Sequence, residues 1–152
     1  MLENSIKILE NIGFQKIGSW KLIVFNNNLE IEYEPEFAND FKIKKNALYS
    51  FVVENEVKYI GKTKRTISQR FQNYKKPGSK QSTNIANNSQ IREAIKAGKT
   101  VEIYVAFNEF IAKKHNMKIK FCDYFEINLA AGLEDSLIEQ LGQKWTTSNV
   151  LK

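Results

Sequence analysis

The chain has 152 residues, of which 42% are hydrophobic and 26% charged, and a net charge of +6. That length suits one domain able to bury its own core, and the composition is that of a globular protein, not a disordered one. One cysteine, Cys122, excludes an intrachain disulfide or a cysteine metal cluster; no apolar run approaches a membrane span, and MLENSIKILENIGF lacks a signal peptide's apolar stretch, so a cytoplasmic setting is expected.

Residues 4–11 place Ile6 and Leu9 at helical spacing, and Gly13 is a natural helix stop. KIGSWKLIVF and LEIEYE flank Asn26, Asn27 and Asn28, which predicts a hairpin with asparagines at the left-handed turn positions. EPEFANDFKIKKN reads as a connector of mixed character. ALYSFVV and VKYIG predict a second hairpin around Glu54, Asn55 and Glu56. Thr66 can cap a helix running to about Lys75, with Pro77, Gly78 and Ser79 ending it. The polar stretch SKQSTNIANN reads as a loop, after which Ser89 caps a short helix closed by Gly98. TVEIYVAF alternates as a strand, and residues 109–120 are basic and ambiguous. DYFEINLAAGLEDSLIEQLG carries Phe125, Leu129, Leu133, Leu137 and Leu141 at helical intervals.

Charge is unevenly spread. Residues 1–40 hold three basic and seven acidic side chains, whereas residues 57–92 hold nine basic ones and no acid: Lys58, Lys62, Lys64, Arg65, Arg70, Lys75, Lys76, Lys80 and Arg92. A block of one sign repels itself unless a polyanion is near, and nucleic acid is the usual partner; a well-solvated basic surface is the plainer alternative.

The second hairpin brings possible chemistry together. With Glu54, Asn55 and Glu56 as its loop, Phe51 faces Tyr59 and Tyr49 faces Gly61, so Tyr49 and Tyr59 are diagonal neighbours on one face. A two-residue loop would separate them onto opposite faces. Arg70 follows one short helix later. Two phenols, a guanidinium and a glycine suit a phosphate; ordinary strand tyrosines and an ordinary helix charge explain the same spacing equally well.

ALY at 47–49, YIGKT at 59–63, Arg70, and LEDSLIEQL at 133–141 with Glu134 together resemble the GIY-YIG nuclease superfamily. The Gly-Ile-Tyr half stands here as Ala47-Leu48-Tyr49, which keeps the tyrosine; Tyr59-Ile60-Gly61 is intact, and Asn149 is a loose match to the family's terminal asparagine. The resemblance spans about residues 46–149. It implies an α+β fold, a small central antiparallel sheet flanked by helices in the order strand, strand, helix, helix, strand, helix, the order that the residues from 47 onward give by themselves. The expected organisation is a nuclease core at 46–152 behind an N-terminal helix and hairpin extension at 1–45.

The resemblance further implies a metal-dependent DNA endonuclease. Tyr49 acts as general base, its phenolate stabilised by the cations Lys58, Lys62 and Arg70, since a free phenol titrates near pKa ~10. Tyr59 hydrogen-bonds water or phosphate, and Arg70 holds the scissile phosphate with its planar fork. Glu134 ligates one Mg²⁺, which Mn²⁺ can replace, with waters and phosphate oxygens completing the shell. Asp135 points about 100° away along a helix and is expected to face solvent. Lys58, Lys64, Arg65, Lys75, Lys76 and Lys80 are expected to contact the DNA backbone. In the polar stretch, Gln81, Ser82, Thr83, Asn84, Asn87 and Asn88 are of the types that read base edges, an ordinary polar loop being the alternative. Tyr74 stands where a helper histidine would be, as its substitute or as packing.

His115 is expected at the surface, Cys122 as a small buried hydrophobe, and Trp20, Trp145, Phe51 and Phe71 as packing. A compact enzyme that must recognise double-stranded DNA within its own fold resembles the type II restriction branch most, and cutting both strands suggests a homodimer. A low-specificity phage or mobile-element nuclease, and a non-catalytic nucleic-acid-binding module, are the other readings.

Overall fold

The computed structural model describes residues 4–36, 41, 44–120 and 126–145. In chain order these form α1 (Ser5–Ile12), β1 (Gln15–Phe25), β2 (Asn28–Pro35), β3 (Ala47–Val53), β4 (Glu56–Thr63), α2 (Ile67–Lys75), α3 (Ser82–Lys96), β5 (Val101–Phe107), α4 (Asn108–Lys114) and α5 (Leu129–Leu141). The five strands make one sheet in the order β2-β1-β5-β3-β4, with every pairing antiparallel. The fold is α+β, as expected, with the short helix α4 occupying part of the ambiguous basic stretch. Among the described residues no helix is long and apolar enough to cross a membrane.

Alternation along β3 divides the core. Tyr49, Phe51 and Val53 join one cluster with Trp20, Phe71, Tyr74 and Ile91, on the side that α2 and α3 cover. Leu48 and Val52 join the opposite cluster with Ile60 of β4 and with Leu9, Ile111 and Leu137 from α1, α4 and α5. Because both faces are covered, β3 is buried at every residue, which is why its sequence lacks polar alternation. Trp20, Trp145, Phe51 and Phe71 are core residues, and His115 is exposed, as expected.

Asn26 and Asn27 take positive φ (50° and 64°) and form a two-residue turn, so Asn28 belongs to β2 and pairs with Phe25. Only Gln15–Trp20 of β1 pairs with β5; the rest of the hairpin projects past it, exposing Val24, Phe25 and Leu29 near its tip. The N-terminal hairpin is thus part of the same sheet.

Two expectations fail in instructive ways. The β3–β4 turn also has two residues, Glu54 and Asn55 (φ 51° and 63°), with Val53 opposite Glu56. Lys58 is then an extra residue: Val57 pairs with Val52, and Tyr59 with Phe51. This bulge shifts the register back, so Tyr49 and Tyr59 share a face despite the short turn. Second, SKQSTNIANN is not a loop. Helix α3 begins at Ser82, seven residues before the expected cap Ser89, and Asn84, Asn87 and Ile91 form its buried stripe. Cys122, Phe125 and Asn149 lie outside the described residues.

Candidate active site

Tyr49 and Gly61 are directly paired across β3 and β4. A Cβ on Gly61 would lie 2.5 Å from both the Cζ and the Oη of Tyr49, so the glycine is the space in which the phenol rests. A Gly61→Ala substitution is therefore expected to overpack a fully buried position and cost about 1–3 kcal/mol. That corresponds to a fall of roughly 3–10 °C in the thermal midpoint for a chain of this size, read by calorimetry or circular dichroism.

Helix α2 brings the remaining parts to the same face. Thr66 caps it through a capping box with Gln69: the Thr66 Oγ1 accepts from the Gln69 N–H at 3.1 Å, and the Thr66 N–H donates to Gln69 Oε1 at 3.1 Å. One turn in, Arg70 sends Nη2 to Tyr74 Oη at 2.8 Å and to Asn84 Oδ1 at 3.0 Å. The Tyr74 and Tyr49 hydroxyls are 2.6 Å apart. The guanidinium lies 4.4 Å from the Tyr74 ring centroid and 5.8 Å from that of Tyr49. The rings of Tyr49 and Tyr59 are 6.3 Å apart, and those of Tyr59 and Tyr74 are 6.4 Å apart. Three phenols thus surround one arginine.

Burial sets the proton affinities here. Tyr49 and Tyr74 have no exposed surface, and loss of water pushes both phenols well up, with Arg70 pulling the other way. Tyr59, 7% exposed, is raised by the same cause and drawn back by contact with Tyr74 and by Arg70. Burial works against the charge on Arg70, yet the phenols around it raise its pKa overall, so the guanidinium is firmly charged.

Glu134 and Lys62 meet at the edge strand β4, where Lys62 Nζ is 3.6 Å from Glu134 Oε1. The Glu134 carboxyl is raised from its ordinary value chiefly by burial; Lys62 and, farther off, Arg70 hold it down in part, and Asp135 pushes it up. Asp135 is itself exposed, as helical geometry predicted. Among the described residues no group of three or more His, Cys, Asp or Glu side chains forms a metal cluster. A half-buried carboxylate standing alone fits a hard cation that takes one protein oxygen and fills its shell with water and phosphate.

The expected DNA contacts divide. Lys64, Arg65, Lys76, Lys80, Ser82 and Thr83 are exposed. Lys58, the bulge residue, is held by Glu56 and is not one of the cations around the phenols. Lys75 pairs with Glu32 at 2.8 Å, and Arg92 donates to Asn88 Oδ1 and to the Leu29 carbonyl. Part of the basic block is therefore spent internally, on the acidic hairpin that precedes it. Asn84 is buried beneath Arg70 and is not at a base-reading surface. Tyr74, for which helper and packing roles were equally open, sits at the centre of the phenol cluster.

No family profile and no curated protein matches the sequence. Among solved structures, a mutant of bacteriophage T4 EndoII matches over 95% of this chain and 98% of its own, with a TM-score of 0.61 and 22% identity. The likeness shows that this chain shares the fold of EndoII.

Proposed function

We propose that the protein is a metal-dependent endonuclease that hydrolyses phosphodiester bonds of double-stranded DNA. The observation that carries this is the convergence of Tyr49, Tyr59, Tyr74 and Arg70 on one face of the sheet, with Glu134 and Lys62 at its adjoining edge. Arg70 offers its remaining N–H groups to the scissile phosphate and stabilises charge gathering on it. Tyr49 is the proton acceptor. It acts as a phenolate whose charge Arg70 offsets; because it is sealed from solvent, the attacking water gives its proton to Tyr59 as its oxygen bonds to phosphorus, and protons shift along Tyr59 and Tyr74 to Tyr49, which ends as a neutral phenol. Glu134 would hold a Mg²⁺ ion, which supplies Lewis-acid help to the phosphate and the leaving oxygen. Lys62 keeps Glu134 ionised and adds positive charge beside the phosphate. Lys64, Arg65, Lys76 and Lys80 grip the backbone on either side.

A sequence-specific, restriction-like homodimer is the form this activity takes in our first reading, because cutting both strands needs two sites related by a two-fold axis. A phage-type nuclease of relaxed specificity is the second reading. It is favoured by the phage origin of the structural neighbour and by the helical state of the Ser-Thr-Asn stretch, which removes the expected reading loop. Plasmid incubated with the protein and Mg²⁺ separates them: discrete bands support the first and a smear the second. Binding without any cleavage would overturn the enzyme in favour of a binding module.

A further inference from the structure

Asn87 is fully buried, and neither its Nδ2 nor its Oδ1 has a hydrogen-bond partner. Burying a carboxamide unpaired is costly, and a leucine of similar volume would fill the same place without that cost. Asn87 follows Asn84 by one turn of α3 and so faces the same way, and Asn84 is already committed to Arg70 and Gln81. The Asn87 amide lies close enough to Tyr59 to favour its ionised form, yet makes no full hydrogen bond to it. Tyr59 is the one phenol of the three with solvent exposure, and therefore the one an arriving ligand can reach.

We propose that Asn87 is a positioning residue of the active site, whose carboxamide captures the Tyr59 hydroxyl when DNA is bound and aims it at the attacking water. Asn84 and Asn87 then act as a pair on one helix face: the first fixes the guanidinium, the second the outer hydroxyl of the phenol chain. The unpaired amide of the free protein is the unfilled half of that arrangement. This rests on the nuclease reading above.

The test compares Asn87→Leu, Asn87→Ser and Asn87→Ala with the unaltered chain, measuring thermal midpoint, affinity for a duplex in Ca²⁺, and single-turnover cleavage in Mg²⁺. The Leu variant is expected to be at least as stable as the parent, to bind duplex equally, and to cleave about 10–100-fold more slowly, the scale of losing a group that orients a catalytic one. The Ser variant, which keeps a hydroxyl to donate or accept, is expected to cleave severalfold faster than Ala, which keeps neither. Wild-type cleavage by the Leu variant would overturn the proposal. So would a loss of stability in all three variants with cleavage per folded molecule unchanged, the mark of a purely structural residue. Failure of the nuclease reading is a different result: the parent itself cuts nothing, and the stability series alone then decides whether the buried amide is held against a folding cost.

Discussion

Replacing Arg70 by lysine is expected to slow cleavage about 100-fold or more while changing duplex affinity only a few-fold. Both residues carry one positive charge, so a purely electrostatic role would survive the exchange. The arginine does something a lysine cannot: Nη2 spends its two hydrogens on Tyr74 and Asn84, and the planar fork has further N–H groups at fixed angles to these. A lysine ammonium reaching the same place would satisfy the phenol or the phosphate, but not both in fixed geometry. Losing one preorganised donor to a developing charge typically costs about 10²–10³-fold. The pH profile adds a second reading. Arg70 pulls down the phenols that burial pushes up, and the proposed reaction needs a phenol to lose its proton, so the rate should climb with pH. Removing the guanidinium in Arg70→Ala lets the phenols rise further, and the climb should move to higher pH. A lysine variant with the parental rate and profile would reduce Arg70 to a generic cation.

Much of the fold was legible because its signals are local. The asparagine turn, the capping residue Thr66 and the leucine spacing in α5 are each decided within a few residues. What escaped depended on partners far along the chain. Asn84 and Asn87 have the i, i+3 spacing of a helix face, completed by Ile91, but the face is built of asparagines, so a search for apolar periodicity passes over it. Only Arg70 and the phenols explain why polar residues belong there. The bulge at Lys58 was equally hidden. Correct pairing of Tyr49 with Gly61 followed from an assumed three-residue loop; the real loop has two residues, and the extra one sits inside β4. The sum of turn and bulge set the register, and the sequence fixes only that sum through which side chains must be buried.

The charge block shows the same limit. Counting nine cations without an acid invites the conclusion that all face DNA. The fold brings Glu32 to Lys75, Glu56 to Lys58 and the Leu29 carbonyl to Arg92. The surface left for a polyanion is Lys64, Arg65, Lys76 and Lys80, with Lys62 shared between Glu134 and whatever binds beside it.

Glu134→Gln is expected to abolish cleavage, by about 10³-fold or more, and at the same time to leave the metal-free protein as stable as the parent or more so. The first effect follows from its place as the carboxylate that would hold the cation, a contribution of several kcal/mol at roughly 1.4 kcal/mol per decade. The second follows from burial. The folded state raises the carboxyl's pKa above the ordinary 4.5, so it binds that proton more tightly than the unfolded chain does. Stability contributed by this group is therefore full below the unfolded pKa, falls as pH rises through the folded one, and is gone at neutral pH. Lys62 offsets the penalty only in part, being half-exposed and 3.6 Å away. An amide of the same shape has no charge to desolvate, so it removes the penalty at the pH where the carboxylate suffers it. Metal should reverse the order, raising the thermal midpoint of the parent with added Mg²⁺ and leaving the Gln variant unmoved. Retained cleavage in the Gln variant would remove Glu134 from the metal site. A large fall in its metal-free stability would show that the Lys62 pair, not burial, dominates there.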